Sequence, residues 1–176
     1  MTAIDFLITT LFTLYLMVIL LRMWLQLAQA DFYNPLSQFV VKVTHPVVGP
    51  LRRIVPSIGR FDTATFLFAF AIAVLHIWIK LMLLGVGQIH IVGLLLNAFF
   101  FLIGEAVQLV IYVLVIRAIL SWVSQGNNPM EHLFHQLTEP LIAPIRRILP
   151  PIGGLDLSPM VLIILLIFIM KLIGLS

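Results

Sequence analysis

The sequence predicts an all-α membrane protein, with four transmembrane helices set as two parallel helix–surface segment–helix repeats. Three observations carry this. Of 176 residues, 62% are hydrophobic and 10% are charged, whereas a soluble domain carries roughly 25% charged residues. There is too little polar surface to coat a water-soluble globule, so lipid must be the solvent for much of the chain. Four apolar stretches approach or exceed the ~20 residues that a helix needs to cross a ~30 Å hydrocarbon core. Finally, a segment rich in proline and arginine occurs twice at a constant offset.

The first stretch runs from about Ile4 to Leu27. Ala28-Gln29-Ala30 after it resembles a signal-peptidase site. However, the start Met1-Thr2-Ala3-Ile4-Asp5 has no basic region, and the apolar run far exceeds the ~7–15 residues of a signal. We read it as a span. The others cover about 64–84, 94–122 and 159–175. The chain then divides into a first repeat at 1–84, a connection at 85–93 and a second repeat at 94–176.

The repeated segment is Thr44–Asp62, THPVVGPLRRIVPSIGRFD, against Thr138–Asp156, TEPLIAPIRRILPPIGGLD. Thr44, Pro46, Pro50, Arg52, Arg53, Ile54, Pro56, Ile58, Gly59 and Asp62 are identical to Thr138, Pro140, Pro144, Arg146, Arg147, Ile148, Pro150, Ile152, Gly153 and Asp156. Apolar composition alone could not match prolines, an Arg-Arg pair, a glycine and an aspartate, so the duplication is real. Asn34-Pro35 pairs with Asn128-Pro129 at the same offset, and Arg22 pairs with Arg117 if one residue is inserted. Two crossings per copy give both copies one orientation.

Each surface segment starts a helix with Asn as N-cap and Pro at N1. Glu131 at N3 adds a capping-box-like feature. Leu36, Phe39, Val40 and Val43 lie at helical spacing, as do Met130, Leu133, Phe134 and Leu137. These stripes predict short amphipathic helices ended by Pro46 and Pro140, with a further helical turn through the Arg pairs. Pro56 and Pro150 stop that turn, and Gly59 and Gly153 permit the return to the membrane. Asp62 and Asp156 then cap the next span.

Lys42, Arg52, Arg53, Arg60, Arg146 and Arg147 all lie in the repeat segments, and 85–93 holds no Lys or Arg. The positive-inside rule makes the segments cytoplasmic and both termini extracytoplasmic. Arg22 and Arg117 fall near the cytoplasmic span ends, where they can snorkel.

The doubled arrangement Pro-x3-Pro-x-Arg-Arg-Ile-x-Pro-x-Ile-Gly-x2-Asp between paired spans resembles the YggT (YlmG-like) family over essentially the whole chain. Asp156-Leu157-Ser158-Pro159 fits that pattern; Asp62-Thr63-Ala64-Thr65 departs from it. The resemblance implies a polytopic accessory or scaffold protein of the bacterial inner membrane, without enzymatic activity. By the same resemblance it is linked to osmotic stress and potassium homeostasis, with cytochrome assembly or a division-associated role as alternatives. A potassium transporter is less attractive, because Arg pairs at a pore mouth would repel cations.

Candidate sites follow from the residues. Arg52, Arg53, Arg146 and Arg147 read either as topology anchors paired with Asp62 and Asp156, or as a site for anionic lipid headgroups or an acidic partner. Asn97, Glu105, Gln108 and Tyr112 form a polar stripe on the third span. Glu105 with Gln108 is either an intramembrane polar site or an interfacial one. Asp5, Thr9 and Thr13 form a comparable stripe on the first. His132 and His135 beside Glu131 and Glu139 have no counterpart in the first copy and read as solvated. His76 and Lys80 share a helix face, and His76 as a haem ligand is weak on its own. No cysteine occurs, and no nucleotide loop, nucleophile elbow or metal-protease motif is found. We therefore expect no enzyme, cofactor, metal or nucleic-acid partner, but a membrane-protein partner or homo-oligomer.

Overall fold

In a computed structural model, residues 3–86, 88–123, 128–149 and 156–175 are described, the side chains of 121–123 excepted. Among them every regular element is a helix: α1 Ala3–Leu27, α2 Pro35–Ile54, α3 Thr63–Leu83, α4 Ile91–Val123, α5 Pro129–Ile148 and α6 Ser158–Ile173. Three of these, α1, α3 and Ile91–Leu120 of α4, are long and apolar enough to cross a membrane, which marks a membrane-embedded protein. The fourth apolar helix, α6, has 16 residues. At 1.5 Å per residue it extends about 24 Å, short of a full hydrocarbon core.

Helices α1, α2 and α3 pack on one another, as do α4, α5 and α6, and α4 joins the halves by packing against α1 and α3. The core sits at that junction: Leu16, Ile19 and Leu20 of α1 meet Ala69 and Ala73 of α3 and Ala98 and Leu102 of α4. Thr65, Ala69, Ala73 and His76 form the buried stripe of α3. Its small members let the backbones approach closely, as apolar helices require in lipid, where no hydrophobic drive separates core from surroundings.

The surface segments differ from expectation. Each is one 20-residue helix, with Pro46 and Pro50 inside α2 and Pro140 and Pro144 inside α5. The prolines do not end these helices because all four stand on an exposed face. There the carbonyls that lose an N–H partner remain open to water, and the pinned φ suits a helix. Asn34 accepts from Leu36 N at 3.0 Å and Asn128 from Met130 N at 2.9 Å, as N-caps. Glu131 does not complete a capping box at its buried Oε2, which has no partner.

Helix α2 stops at Ile54, just before Pro56. The chain reverses through Ile58–Phe61, whose backbones bond reciprocally at 3.1 and 3.0 Å. Gly59 has φ +60° there, a conformation that a side chain would strain. Pro150 and Gly153 lie outside the described residues.

Candidate functional site

The duplicated charges of the repeat gather where α2 and α5 each cross the ends of the two helices they pack against. In the first half Thr44 is fully buried and donates its hydroxyl to the Val40 carbonyl at 2.6 Å. That aims the oxygen's lone pairs at α1, and Arg22 Nη1 donates to it at 2.7 Å. Arg22 is only 3% exposed. It does not snorkel, because α2 lies over the end of α1 and supplies the acceptor instead. Arg52 donates through Nε to Asp62 Oδ1 at 3.3 Å and through Nη2 to Asp62 Oδ2. Nη2 also reaches Gln26 Oε1 of α1. Asp62 in turn accepts from Thr65 N at 3.2 Å and from the Thr65 hydroxyl, capping α3. One knot therefore ties three helices.

The second half repeats the knot. Thr138 donates to the Phe134 carbonyl at 2.7 Å and accepts from Arg117 Nη1. Arg117 and Arg22 thus occupy equivalent places, and the one-residue insertion is real. Arg146 donates through Nε and Nη2 to Asp156 Oδ2 at 3.0 and 2.7 Å, and Asp156 accepts from Ser158 N at 3.0 Å. One member is new. Glu139 accepts from Arg117 at 3.1 Å and from Arg146 at 2.6 Å, joining the two arginines. Its counterpart in the first half is His45.

Burial alone would push the Asp62 carboxyl up, but hydrogen bonds from Arg52 and Thr65 outweigh this and hold it below its ordinary value. Glu139 is held down in the same sense against desolvation, by Arg117, Arg146 and His135. Each Arg-Arg pair is divided: Arg52 and Arg146 are spent on carboxylates, while Arg53 and Arg147 are exposed and without a partner among the described residues.

The hydroxyls of the two knots allow a test. Thr44→Val leaves the buried Arg22 without its acceptor and is expected to cost about 2 kcal/mol. Thr138→Val should cost about half as much, because Arg117 keeps Glu139. Thermal unfolding of the two variants in detergent reads the difference.

A second polar region lies along α4 where it meets α3 and α6. Asn97, Glu105 and Gln108 line one cavity of about 500 Å³ with Ile77 of α3 and Met170 of α6. Tyr112 is not in it and is exposed. Thr13 of α1 is the polar neighbour of the Glu105 carboxyl, which brings together one member of each polar stripe. The Glu105 Oε2 is buried and unpaired, as is Thr9 Oγ1. His76, 2% exposed, lies between Phe12 and Phe101 at ring separations of 5.3 and 4.8 Å, and both its nitrogens lack partners. His135 bonds Glu139 at 3.2 Å, and His132 meets Gln136 at 3.0 Å. Among the described residues no group of three His, Asp or Glu is placed to hold a metal.

The CCB3/YggT family model matches residues 1–84 and 96–176, one match for each knot-bearing half. The chain belongs to the CCB3/YggT family. It is 55% identical over 175 residues to an uncharacterized protein "in proC 3′ region" of Vibrio alginolyticus, covering 99% of this chain and 95% of that one. It is 46% identical over 167 residues to the uncharacterized protein YggT of Escherichia coli K12, covering 94% and 86%. An uncharacterized Haemophilus influenzae protein is 44% identical over 154 residues, covering 87% and 81%. No solved structure matches. The two CCB3/YggT repeats therefore coincide with the two three-helix halves, α1–α3 and α4–α6.

Sequence reading found the arginines, the aspartates and Glu105. It missed Gln26 and the acceptor roles of Thr44 and Thr138, and it read Glu139 as solvated where it joins two arginines. The threonines carried a signal as an identical repeat pair, but only packing shows which arginine lies above each.

Proposed function

We propose that this CCB3/YggT protein is a four-span accessory or scaffold protein of the bacterial inner membrane, with α2 and α5 on the cytoplasmic face. Its role is in osmotic stress and potassium homeostasis. The observation that carries the scaffold reading is the pair of knots. They lock two amphipathic helices across the span ends and leave Arg53 and Arg147 turned outward, one per half. That is a rigid basic platform for anionic headgroups or an acidic region of a membrane-protein partner. The stress and potassium association comes from family resemblance.

The test is a deletion strain complemented with Arg53→Glu/Arg147→Glu. The double variant should insert normally, lose co-purifying proteins in mild detergent and fail under hyperosmotic or potassium-limited growth. Wild-type growth and an unchanged set of co-purifying proteins would refute the platform. Recovery of haem enzymes would point to cytochrome assembly instead. Single cysteines at Ser57 and Gln88 should label from opposite sides, with Ser57 cytoplasmic; labelling from one side would overturn the four-span topology.

The Glu105 cavity predicts a separate effect. Glu105→Gln should preserve expression but abolish growth rescue under hyperosmotic stress, since a carboxyl in a span with one oxygen buried and unpaired is costly to keep without a role. Full rescue would make the cavity a packing feature.

A further inference from the structure

Lys42, His45, Gly49 and Arg53 follow at spacings of three, four and four and so form one stripe along α2. It lies away from the buried stripe of Ser37, Val40, Thr44 and Val48. The counterparts on α5 are Gln136, Glu139, Ala143 and Arg147. The first stripe carries two fixed positive charges and an imidazole with no acid; the second carries one charge of each sign.

The second stripe is used within the molecule. Gln136 accepts from the Asp31 backbone N–H at 3.0 Å, and Glu139 fills the space between Arg117 and Arg146. In the first half no carboxylate takes that place. Lys42, His45 and Arg53 have no partner among the described residues. They border two adjoining cavities of about 480 and 420 Å³ that share His45 and Pro46. Phe32, Gln38, Val41 and Lys42 complete the first cavity, and Gly49, Pro50 and Arg53 the second. Gly49 leaves room for the His45 ring in this position, since a Cβ there would stand 3.0 Å from it and press it aside.

We propose that this groove holds one anionic phospholipid and that the equivalent face of α5 does not. The phosphate sits at His45, with Lys42 one turn before it and Arg53 two turns after it closing on the phosphate oxygens. The glycerol and upper acyl carbons lie over Phe32, Val41 and Pro46. Two features favour a lipid over an acidic peptide: the groove floor is apolar, and Phe39, Val43, Val47 and Ile54 are exposed on the neighbouring face of α2. Those side chains set the helix at bilayer depth, where a phosphate is at hand. The proposal rests on α2 being a surface helix of the membrane.

The test uses the full chain purified in mild detergent, with native mass spectrometry counting added phosphatidylglycerol. The variant Lys42→Gln/His45→Glu gives the first stripe the chemistry of the second. It removes one cation and adds one anion on an exposed face, so the fold should stand, as size-exclusion and circular dichroism would verify. Wild type should keep one tightly held phosphatidylglycerol, and the variant should bind it about thirtyfold more weakly. Gly49→Val, which displaces the imidazole without altering charge, should also weaken binding. Lys171→Gln, which loses a charge elsewhere, should bind as wild type.

Equal binding by wild type and the double variant would overturn the site. Displacement of the lipid by millimolar inorganic phosphate would overturn the lipid assignment in favour of a free anion. Displacement by a polyglutamate peptide, with no preference for phosphatidylglycerol over phosphatidylcholine, would overturn it in favour of a protein segment. Labelling of Ser57 from the extracytoplasmic side would instead fail the underlying placement of α2, whatever the lipid counts.

Discussion

Asp62→Ala is expected to destabilise the protein by about 3 kcal/mol, while Asp156→Ala costs below about 1 kcal/mol. The two aspartates are repeat equivalents, but their surroundings differ. The Asp62 side chain is fully buried against Arg52, caps α3 through Thr65 and is the acid whose charge acts favourably on Arg22. Without it two arginines remain at the end of the spans with no carboxylate. Asp156 and Arg146 are each about one-third exposed, at 36% and 34%, and Arg146 keeps Glu139, so water and a second acid absorb the loss. A drop in Tm of roughly 6–12 °C for the first variant and about 4 °C or less for the second follows from the usual scaling for a chain of this size.

The same contact fixes a pH dependence. The folded Asp62 carboxyl lies below its ordinary value of 3.8. Its stabilisation is therefore fully present above that value and is lost as pH falls through the folded pKa. Thermal scans should show the gap between wild type and Asp62→Ala constant near neutral pH and closing only below about 3.8. A gap that closes near pH 6 would assign the effect to another group.

Arg52→Lys/Arg146→Lys should lower Tm measurably, and Arg53→Lys/Arg147→Lys should not. Arg52 spreads two nitrogens over both Asp62 oxygens and reaches Gln26 as well. Arg146 places Nε and Nη2 on Asp156 and Nη1 on Glu139. An ammonium is a point donor without the planar fork and cannot span these partners, so each change in the first pair should cost about 1–2 kcal/mol. The outward arginines have no such geometry to lose, and positive-inside topology counts charge, which Lys supplies. Tm in detergent and the side labelled at Ser57 measure both points. A stable Arg52→Lys/Arg146→Lys variant would show that the forks contribute little; a destabilised Arg53→Lys/Arg147→Lys variant would reveal a contact made outside this chain.

Much of the architecture is legible from one sequence because lipid makes the rules severe. A helix in hydrocarbon must satisfy its own backbone, so long apolar runs mark helices and their ends with little ambiguity. The predicted starts and stops of α1, α3 and α4 fall close to the observed ones for that reason. The matched prolines and charges showed the duplication, which in turn placed the N-caps at Asn34, Asn128 and Asp62. Inside the surface segments the rules relax, and local reading failed at Pro46 and Pro140. A proline's cost depends on whether the carbonyl it frees can find water, and that depends on which side of the helix is covered.

The sequence by itself determined that the chain needs lipid, that it is built twice and where each half reverses direction. These follow from composition, periodicity and residue identity, which act locally. Only the tertiary structure decided which charge meets which. Arg52 takes Asp62 while Arg53 is left without a partner among the described residues, Glu139 joins the arginines of one half while His45 stands in its place in the other, and Thr13 is set beside Glu105. Each outcome turns on which helix faces lie together across tens of residues of chain, and identical motifs give unequal sites when a single neighbour differs.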